Sequence, residues 1–158
     1  MSADAVVLGY ARMADADAIS LLSRDSIEHG LGWTYRPERI ARYLRDPDAV
    51  VLGARTHRQL VGFAIMHFGD ERAHLVLLAV APALRRRGIG RRMLAWLTES
   101  AQVAGVMSIH VELRAQNHAA HALYRTAGFA ESLRIPGYYS GRETAVRMLR
   151  LLRSPHIA

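Results

Sequence analysis

The chain has 158 residues, of which 51% are hydrophobic and 22% are charged; its formal net charge is +7 and it contains no cysteine. This length and composition predict one globular domain and exclude a largely disordered chain. The absence of thiols excludes disulfides, thiolate zinc sites and a cysteine nucleophile.

The hydropathy and charge patterns limit the partners. No apolar run is long enough to span a bilayer and no signal-peptide pattern opens the chain, so we expect a cytoplasmic protein without a membrane partner. The chain has no lysine, so arginine supplies all of the positive side-chain charge, which concentrates at residues 85–92 and at Arg147, Arg150 and Arg153. A local anion site would produce this distribution, and no recognition-helix or base-stacking motif is present, so we expect nucleic acid not to be the main ligand.

The first part of the chain predicts a strand and two short helices. Residues 6–10 form the strand, and Asp15 then caps a helix whose apolar face includes Ala18, Ile19, Leu22 and Ile27. Pro37 begins the second helix, which ends at Asp46 and Pro47. The loop between the helices, GLGWTYR, carries two aromatic residues, Trp33 and Tyr35.

A hairpin and a central strand-turn-helix unit come next. Residues 49–55 and 59–68 predict two antiparallel strands joined around His57 and Arg58. The apolar run 75–80 predicts a strand buried on both faces, which Pro82 ends. A turn with three arginines and two glycines follows, and apolar residues then recur at helical spacing: Ile89, Met93, Leu94, Trp96 and Leu97.

This basic turn has two interpretations. The first amides of a helix have no intrahelical partner, glycines let an anion approach the backbone closely, and arginines add charge, so the turn predicts a phosphate or pyrophosphate site. The alternative is an ordinary strand-to-helix turn whose arginines are simply solvated.

The remaining elements complete an α+β pattern. Residues 106–113 alternate as a strand, Asn117 begins a helix that ends at Gly128, and residues 129–135 and 144–151 are strands around the loop PGYYSGRE. We expect a single domain over residues 1–153, followed by a frayed tail over 154–158. This order of elements predicts a mixed sheet with helices on both faces.

Two separated blocks, LLAVAPALRRRGIG and VELRAQNHAAHALYRTAGF, resemble the GNAT superfamily of acetyl-CoA-dependent N-acetyltransferases. The first block matches the family's basic glycine motif, and the second matches its asparagine-to-phenylalanine helix motif; the matching residues are Arg85, Gly88, Gly90, Asn117, Ala120, Leu123, Tyr124, Gly128 and Phe129. The spacing of Glu112, Asn117 and Tyr124 is most similar to the bacterial ribosomal-protein alanine N-acetyltransferases. The resemblance implies a mostly antiparallel sheet of six to seven strands with a central acetyl-CoA site.

The resemblance also implies which residues hold acetyl-CoA as co-substrate, with no metal involved. These residues lie on the central strand, in the pyrophosphate loop and at the start of the last helix: Leu78, Ala79, Val80, Arg85, Arg86, Arg87, Gly88, Ile89, Gly90, Arg91 and Asn117. Asn117 suits a helix N-cap equally well. The eight histidines form no spaced ligand set, so we expect no metal site.

Acetyl transfer to an amine needs a proton acceptor, stabilisation of the thioester oxygen and a proton donor for the leaving thiolate. The resemblance assigns these roles to Glu112, directly or through water, to the Val80 amide and to Tyr124. Each side chain also has a plain interpretation: Glu112 as a solvent-facing strand residue and Tyr124 as a packing aromatic.

By analogy with the family, two segments flank the groove for the acceptor, and they contribute Glu28, Trp33, Tyr35, Tyr138 and Tyr139. An aromatic groove suits a peptide N-terminus as well as a small hydrophobic amine. We therefore expect an enzyme that acetylates a primary amine, with a protein N-terminus ahead of a small molecule. A non-catalytic acyl-CoA-binding domain is the remaining alternative, and a homodimer stays open.

Overall fold

The computed structural model describes residues 5–57 and 59–152. Its strands are β1 (Val7–Tyr10), β2 (Ala49–Thr56), β3 (Gln59–Phe68), β4 (Arg72–Val80), β5 (Ser108–Arg114), β6 (Ala130–Tyr139) and β7 (Glu143–Leu151). Its helices are α1 (Ala16–Ser26), α2 (Pro37–Arg45), α3 (Ile89–Ala104) and α4 (His118–Thr126). The predicted tail at 154–158 and Arg58 of the predicted hairpin lie outside the described residues, and the single-domain boundary at 153 stays a prediction.

The strands form one seven-stranded sheet in the order β1-β2-β3-β4-β5-β7-β6. Only β4 and β5 run parallel; every other neighbouring pair is antiparallel. One face packs Phe63 and Ile65 against Ile19 of α1 and Ile40 of α2. The other face packs against α3 and α4, through Met93, Leu94, Leu97 and Tyr124. The predicted α+β fold is confirmed.

The start of α1 differs from the prediction. Asp15 precedes the helix but makes no side-chain cap to it. Its carboxylate instead accepts a hydrogen bond from the Arg12 amide at 2.7 Å and pairs with Arg55 of β2. Ala18 is exposed, because α1 buries a face formed by Ala16, Ile19, Ser20 and Ser23. The long-range pair with β2 therefore decides the orientation of Asp15.

The predicted loop around PGYYSGRE is mostly strand. β6 continues to Tyr139, with irregular pairing between Ile135 and Tyr139 where Pro136 has no amide hydrogen to donate. The Arg142 amide then donates to the Tyr139 carbonyl at 3.0 Å and closes a turn whose central residues, Ser140 and Gly141, have φ of 56° and 68°. Three residues, 140–142, therefore connect the paired Tyr139 and Glu143. Tyr138 and Tyr139 thus lie on a strand rather than in a loop.

The sheet divides at β4. β4 pairs with β5 only from Arg72 to Leu75, opposite 108–111. At that point Val76 is an extra residue, since Leu75 lies opposite Met66 and Leu77 lies opposite Ile65 of β3. Beyond this bulge β4 follows β3 alone, and a gap opens between β4 and β5.

The same bulge corrects the prediction of a strand buried on both faces. Leu75 packs in the core under α3, whereas Leu77 and Ala79 pack in the core under α1 and α2. Leu78 and Val80 are only half-buried. Their side of β4 lines the gap.

Candidate active site

The end of β4 presents backbone groups toward the gap. The Ala81 amide donates to the Val61 carbonyl at 2.7 Å, so it points toward β3. Successive amides of a strand point in opposite directions, so the amides of Leu78 and Val80 point away from β3, to the side that β5 has left. An extended ligand could pair with these groups as an added strand would.

The basic turn lies directly above this gap. Gly88 adopts φ 78°, and the Arg92 amide makes the first helical bond to the Gly88 carbonyl at 3.0 Å, which leaves the amides of 89–91 without a helical partner. Arg86, Arg87 and Arg91 are exposed, and the Arg85 Nε donates to the Val80 carbonyl at 3.1 Å. The turn therefore combines free amides, the helix dipole and guanidinium groups, which is the donor set that a pyrophosphate requires.

Gly90 shows how the turn and the gap connect. A Cβ built on Gly90 would lie 3.5 Å from Leu123 of α4, 3.7 Å from Leu78 and 3.9 Å from Val80. At Gly88, by contrast, an added Cβ meets nothing within 4 Å. The first turn of α3 thus faces the space between the end of β4 and α4. The residues that surround this space fit a ligand that carries a pyrophosphate and a long, narrow arm.

Asn117 acts as an N-cap. Its Oδ1 accepts a hydrogen bond from the Ala120 amide at 3.1 Å, which confirms the helix-capping interpretation. Its amide group is exposed and could also donate to a ligand.

Glu112 is held by charged neighbours. Its side chain is 10% exposed; Oε1 lies 2.9 Å from His74 Nε2, and Oε2 accepts from Arg147 Nε at 3.1 Å. Burial is the largest single influence and raises the pKa of Glu112, but the hydrogen bonds and charges of His74 and Arg147 together outweigh it and lower that pKa. The carboxylate is therefore ionised at neutral pH, which differs from the plain interpretation as a solvent-facing strand residue.

Tyr124 lies on α4, in the core that α4 shares with α3. It is 5% exposed, and its ring packs edge-on against Phe129 with the ring centres 5.4 Å apart. Burial, with a smaller contribution from Tyr139, raises the pKa of Tyr124 far above its ordinary value, and no hydrogen bond is among the causes. The phenol is therefore protonated at neutral pH and can donate.

Three of the five residues predicted for the acceptor groove, Tyr35, Tyr138 and Tyr139, lie close enough to influence one another, and one of them, Tyr138, contacts Glu112. The rings of Tyr138 and Tyr139 meet edge-on at 4.9 Å, and the Tyr138 hydroxyl lies 3.5 Å from Glu112 Oε1. Burial is the largest cause that raises the pKa of both Tyr35 and Tyr139. Tyr138 raises the pKa of each of them further, and Tyr35 also raises that of Tyr139. The three tyrosines form an aromatic wall that meets the carboxylate at Tyr138.

The other two residues have different surroundings. Glu28 is 6% exposed and accepts hydrogen bonds from the Thr34 amide at 2.6 Å, the Tyr35 amide at 3.1 Å and the Ser23 hydroxyl at 3.0 Å. It therefore shapes the loop that positions Tyr35. Trp33 stacks with Arg36 and Arg24, whose guanidinium carbons lie 4.6 and 5.3 Å from its ring centre.

Sequence reasoning did not identify Arg114, His74 and Arg147. Arg114 donates to both carboxylate oxygens of Glu143, at 2.8 and 2.5 Å, and to the carbonyls of Ile27 and His29, at 3.1 and 2.6 Å. It thereby ties the end of α1 to the β6–β7 hairpin. His74 and Arg147 stand out in sequence only as polar residues within apolar strands, which is a weak signal.

One group of potential metal ligands adjoins the cavity beside Glu112, which His67 also lines. Asp46, Asp48 and His67 place ligand atoms within 4.8 Å of one another. Asp46 already accepts from the Asp48 amide at 2.8 Å and lies 3.3 Å from His67. Exposed acidic groups often lie together in turns, and these contacts account for the arrangement.

None of the helices in the described part of the chain has the length and apolar character needed to cross a membrane. This finding concerns the helices alone.

Comparison with known proteins points to one family. The acetyltransferase (GNAT) family matches residues 16–129. The ribosomal protein bS18-alanine N-acetyltransferase of Salmonella typhimurium is 38% identical over 93 residues, which are 57% of this chain and 63% of that protein. N-alpha-acetyltransferase RimI of Mycobacterium tuberculosis is 36% identical over 137 residues, with 82% of each chain covered.

Among solved structures, the ribosomal-protein-S18-alanine N-acetyltransferase from Escherichia coli superposes with a TM-score of 0.83 at 25% identity. The match covers 98% of this chain and 99% of that chain. By contrast, the chain spans less than two-thirds of the length of the Salmonella relative.

Proposed function

This chain belongs to the acetyltransferase (GNAT) family, and on that premise we propose that it transfers the acetyl group of acetyl-CoA to a primary amine in the cytoplasm. One observation carries the proposal: the gap between β4 and β5 ends at the unpaired amides of α3. The gap suits the pantetheine arm, and the turn suits the pyrophosphate. Acetyl-CoA would supply the thioester carbon that the amine attacks.

The proposed roles of the chain's own residues follow from their positions. The Val80 amide, which points into the gap, stabilises negative charge on the thioester oxygen. Glu112 draws the proton from the acceptor nitrogen, directly or through a water molecule, and Tyr124 donates its proton to the departing sulfur. A protonated Tyr124 phenol and an ionised Glu112 carboxylate are the protonation states that these roles require.

The acceptor we favour is a protein N-terminal α-amine. The relatives named for acetylating ribosomal protein S18 or an N-terminal α-amine support it, as do Tyr35, Tyr138 and Tyr139, whose rings can pack on a peptide backbone. An acceptor screen tests the proposal: acetyl-CoA is mixed with peptides of different N-terminal residues and with small aromatic amines, and the released thiol is measured. Release with small amines alone would move the assignment to a small-molecule acetyltransferase.

Binding without thiol release for any amine would favour the non-catalytic acyl-CoA-binding alternative. The contacts around Glu112 and Tyr124 count against it, because binding alone requires neither a held carboxylate nor a buried phenol. Calorimetric titration with acetyl-CoA distinguishes both the acetyltransferase and the non-catalytic acyl-CoA-binding domain from a protein that does not bind acyl-CoA.

Gly90→Val should weaken acetyl-CoA binding by roughly 10- to 100-fold. Extra methyl groups forced into a fitted space cost about 1–3 kcal/mol, and each 1.4 kcal/mol is a factor of about ten in affinity. The valine methyl groups would extend from the Cβ position toward Leu78, Val80 and Leu123 and occupy the space for the pantetheine arm. Calorimetric titration with acetyl-CoA measures the effect.

Two further variants serve as controls. Gly90→Ala adds only a Cβ at ordinary contact distances and should bind nearly normally, and Gly9→Val on β1 places the same bulk where nothing lies within 4 Å. If folded Gly90→Val binds acetyl-CoA as the unmodified chain does, the arm lies elsewhere.

A further inference from the structure

Glu112 is one member of a longer chain of polar groups. His74 lies on β4, and its Nε2 is 2.9 Å from Glu112 Oε1. Its imidazole is 47% exposed, whereas the Glu112 side chain is 10% exposed. The pair therefore connects a mostly buried carboxylate to a ring that reaches solvent.

The cavity around this ring leads away from the aromatic wall. It has a volume of about 390 Å³ and reaches from Glu112 past His74 to the end of β3 and the start of β4. The Tyr138 hydroxyl, at 3.5 Å, and His74 Nε2, at 2.9 Å, contact the same Glu112 oxygen, Oε1, but His74 lines this cavity and Tyr138 does not.

The proton balance of the proposed reaction requires such an exit. At neutral pH an α-amine with a pKa of about 8 is mostly an ammonium ion. The ammonium gives up two protons when its nitrogen becomes an amide; one replaces the proton that Tyr124 donates to sulfur, and the other must leave the site. Glu112 cannot retain that second proton, because His74 and Arg147 favour its ionised form.

We propose that His74 carries this proton from Glu112 to solvent. The proton moves from the acceptor nitrogen to a Glu112 oxygen and then to Nε2 of the His74 tautomer that carries its hydrogen on Nδ1, and that Nδ1 hydrogen leaves to water in the cavity. The ring then carries its hydrogen on Nε2, from which it donates to the ionised Glu112, and exchange with cavity water returns the hydrogen to Nδ1 before the next turnover. Imidazole suits this step because it has two separate nitrogens, of which one can accept a proton while the other releases one. The inference rests on the proposed acetyl transfer.

Several charged and titratable groups face this ring. His67 of β3 and His110 of β5 lie directly opposite His74 in the sheet register. The other groups around it are Arg72, Arg147, Glu112 and, beyond the carboxylate, Tyr138. His67 contacts Asp46 and His110 contacts Ser108, so among these histidines the described structure shows only His74 bonded to Glu112.

Kinetics with an N-terminal alanine peptide test the relay. His74→Ala should lower kcat by roughly 10- to 100-fold, the lower part of the range for positioned acid–base groups, with KM for acetyl-CoA unchanged. Imidazole added to the buffer should restore much of the rate, because the emptied position opens to the cavity. His67→Gln, which changes a histidine of the same cavity, should keep normal kcat and show no response to imidazole.

A second measurement does not depend on turnover. Carbon-13 NMR of the carboxyl groups should show a higher pKa for Glu112 in His74→Ala than in the unmodified chain, because the histidine contact lowers that pKa. An unchanged Glu112 pKa overturns the relay whatever the acceptor is.

The outcomes separate the two proposals. If the unmodified chain acetylates the peptide and His74→Ala does so equally well, the relay fails and the proposed function stands. If the unmodified chain binds acetyl-CoA but acetylates no amine, the proposed function fails and the relay fails with it.

Discussion

Replacing Tyr124 with phenylalanine should lower turnover by roughly 10²- to 10⁴-fold, the usual contribution of a positioned general acid. The phenol donates only as the carbon–sulfur bond breaks, so the loss belongs to the transition state and the affinity for acetyl-CoA should change little. The ring itself is buried against Phe129, and phenylalanine fills the same volume. The fold should therefore survive.

Steady-state kinetics with one identified acceptor, together with calorimetric binding of acetyl-CoA, measure this effect. Tyr10→Phe is the matched control, because it removes a phenol hydroxyl from an exposed ring on β1 that packs against Trp96. A packing role for Tyr124 predicts near-normal turnover in Tyr124→Phe. Full activity in that variant would rule out the acid assignment.

Replacing Glu112 with glutamine should lower turnover at neutral pH by roughly 10²-fold or more, since it removes the carboxylate that receives the proton. The loss should shrink at high pH, where more of the acceptor amine is already neutral; with an α-amine pKa of about 8, most of this recovery is expected between about pH 7 and 9. A pH series of kcat/KM for both proteins checks the prediction.

Glu131→Gln provides the matched control. Glu131 is also held by an arginine and a histidine, Arg134 at 2.8 Å and His121 at 3.4 Å, but it lies on β6 in an exposed cluster. This variant should keep normal turnover at every pH. A parallel pH profile for Glu112→Gln and the unmodified chain, at whatever rate, would contradict the role of Glu112 as proton acceptor.

Much of the fold follows from local patterns. The period of apolar residues, Pro37 at a helix start, Asn117 as an N-cap and Gly128 after α4 each act over a few residues, and their predicted positions agree with the structure. Where the prediction was wrong, a distant contact outweighed the local signal. Pro136 and Gly137 suggested a loop, yet pairing with β7 keeps the chain extended to Tyr139.

The candidate site likewise has one part that local sequence patterns predict and another part that depends on distant contacts. Two contiguous motifs identified the family and the residues proposed for acetyl-CoA, because a turn that binds phosphate is built from neighbouring residues. The surroundings of Glu112 were not predictable, since its partners lie 38 residues away at His74 and 35 residues away at Arg147.

The sequence by itself therefore determined the order of elements, the two faces of the sheet and the basic, glycine-containing composition of the turn before α3. Only the tertiary structure decided that β4 and β5 separate after Leu75, that the Tyr138 hydroxyl lies beside Glu112, and that Glu28 supports a loop. The reason is physical. Periodicity and turn chemistry depend on neighbouring residues, whereas the protonation and orientation of a site residue depend on partners that only strand register and packing bring into contact.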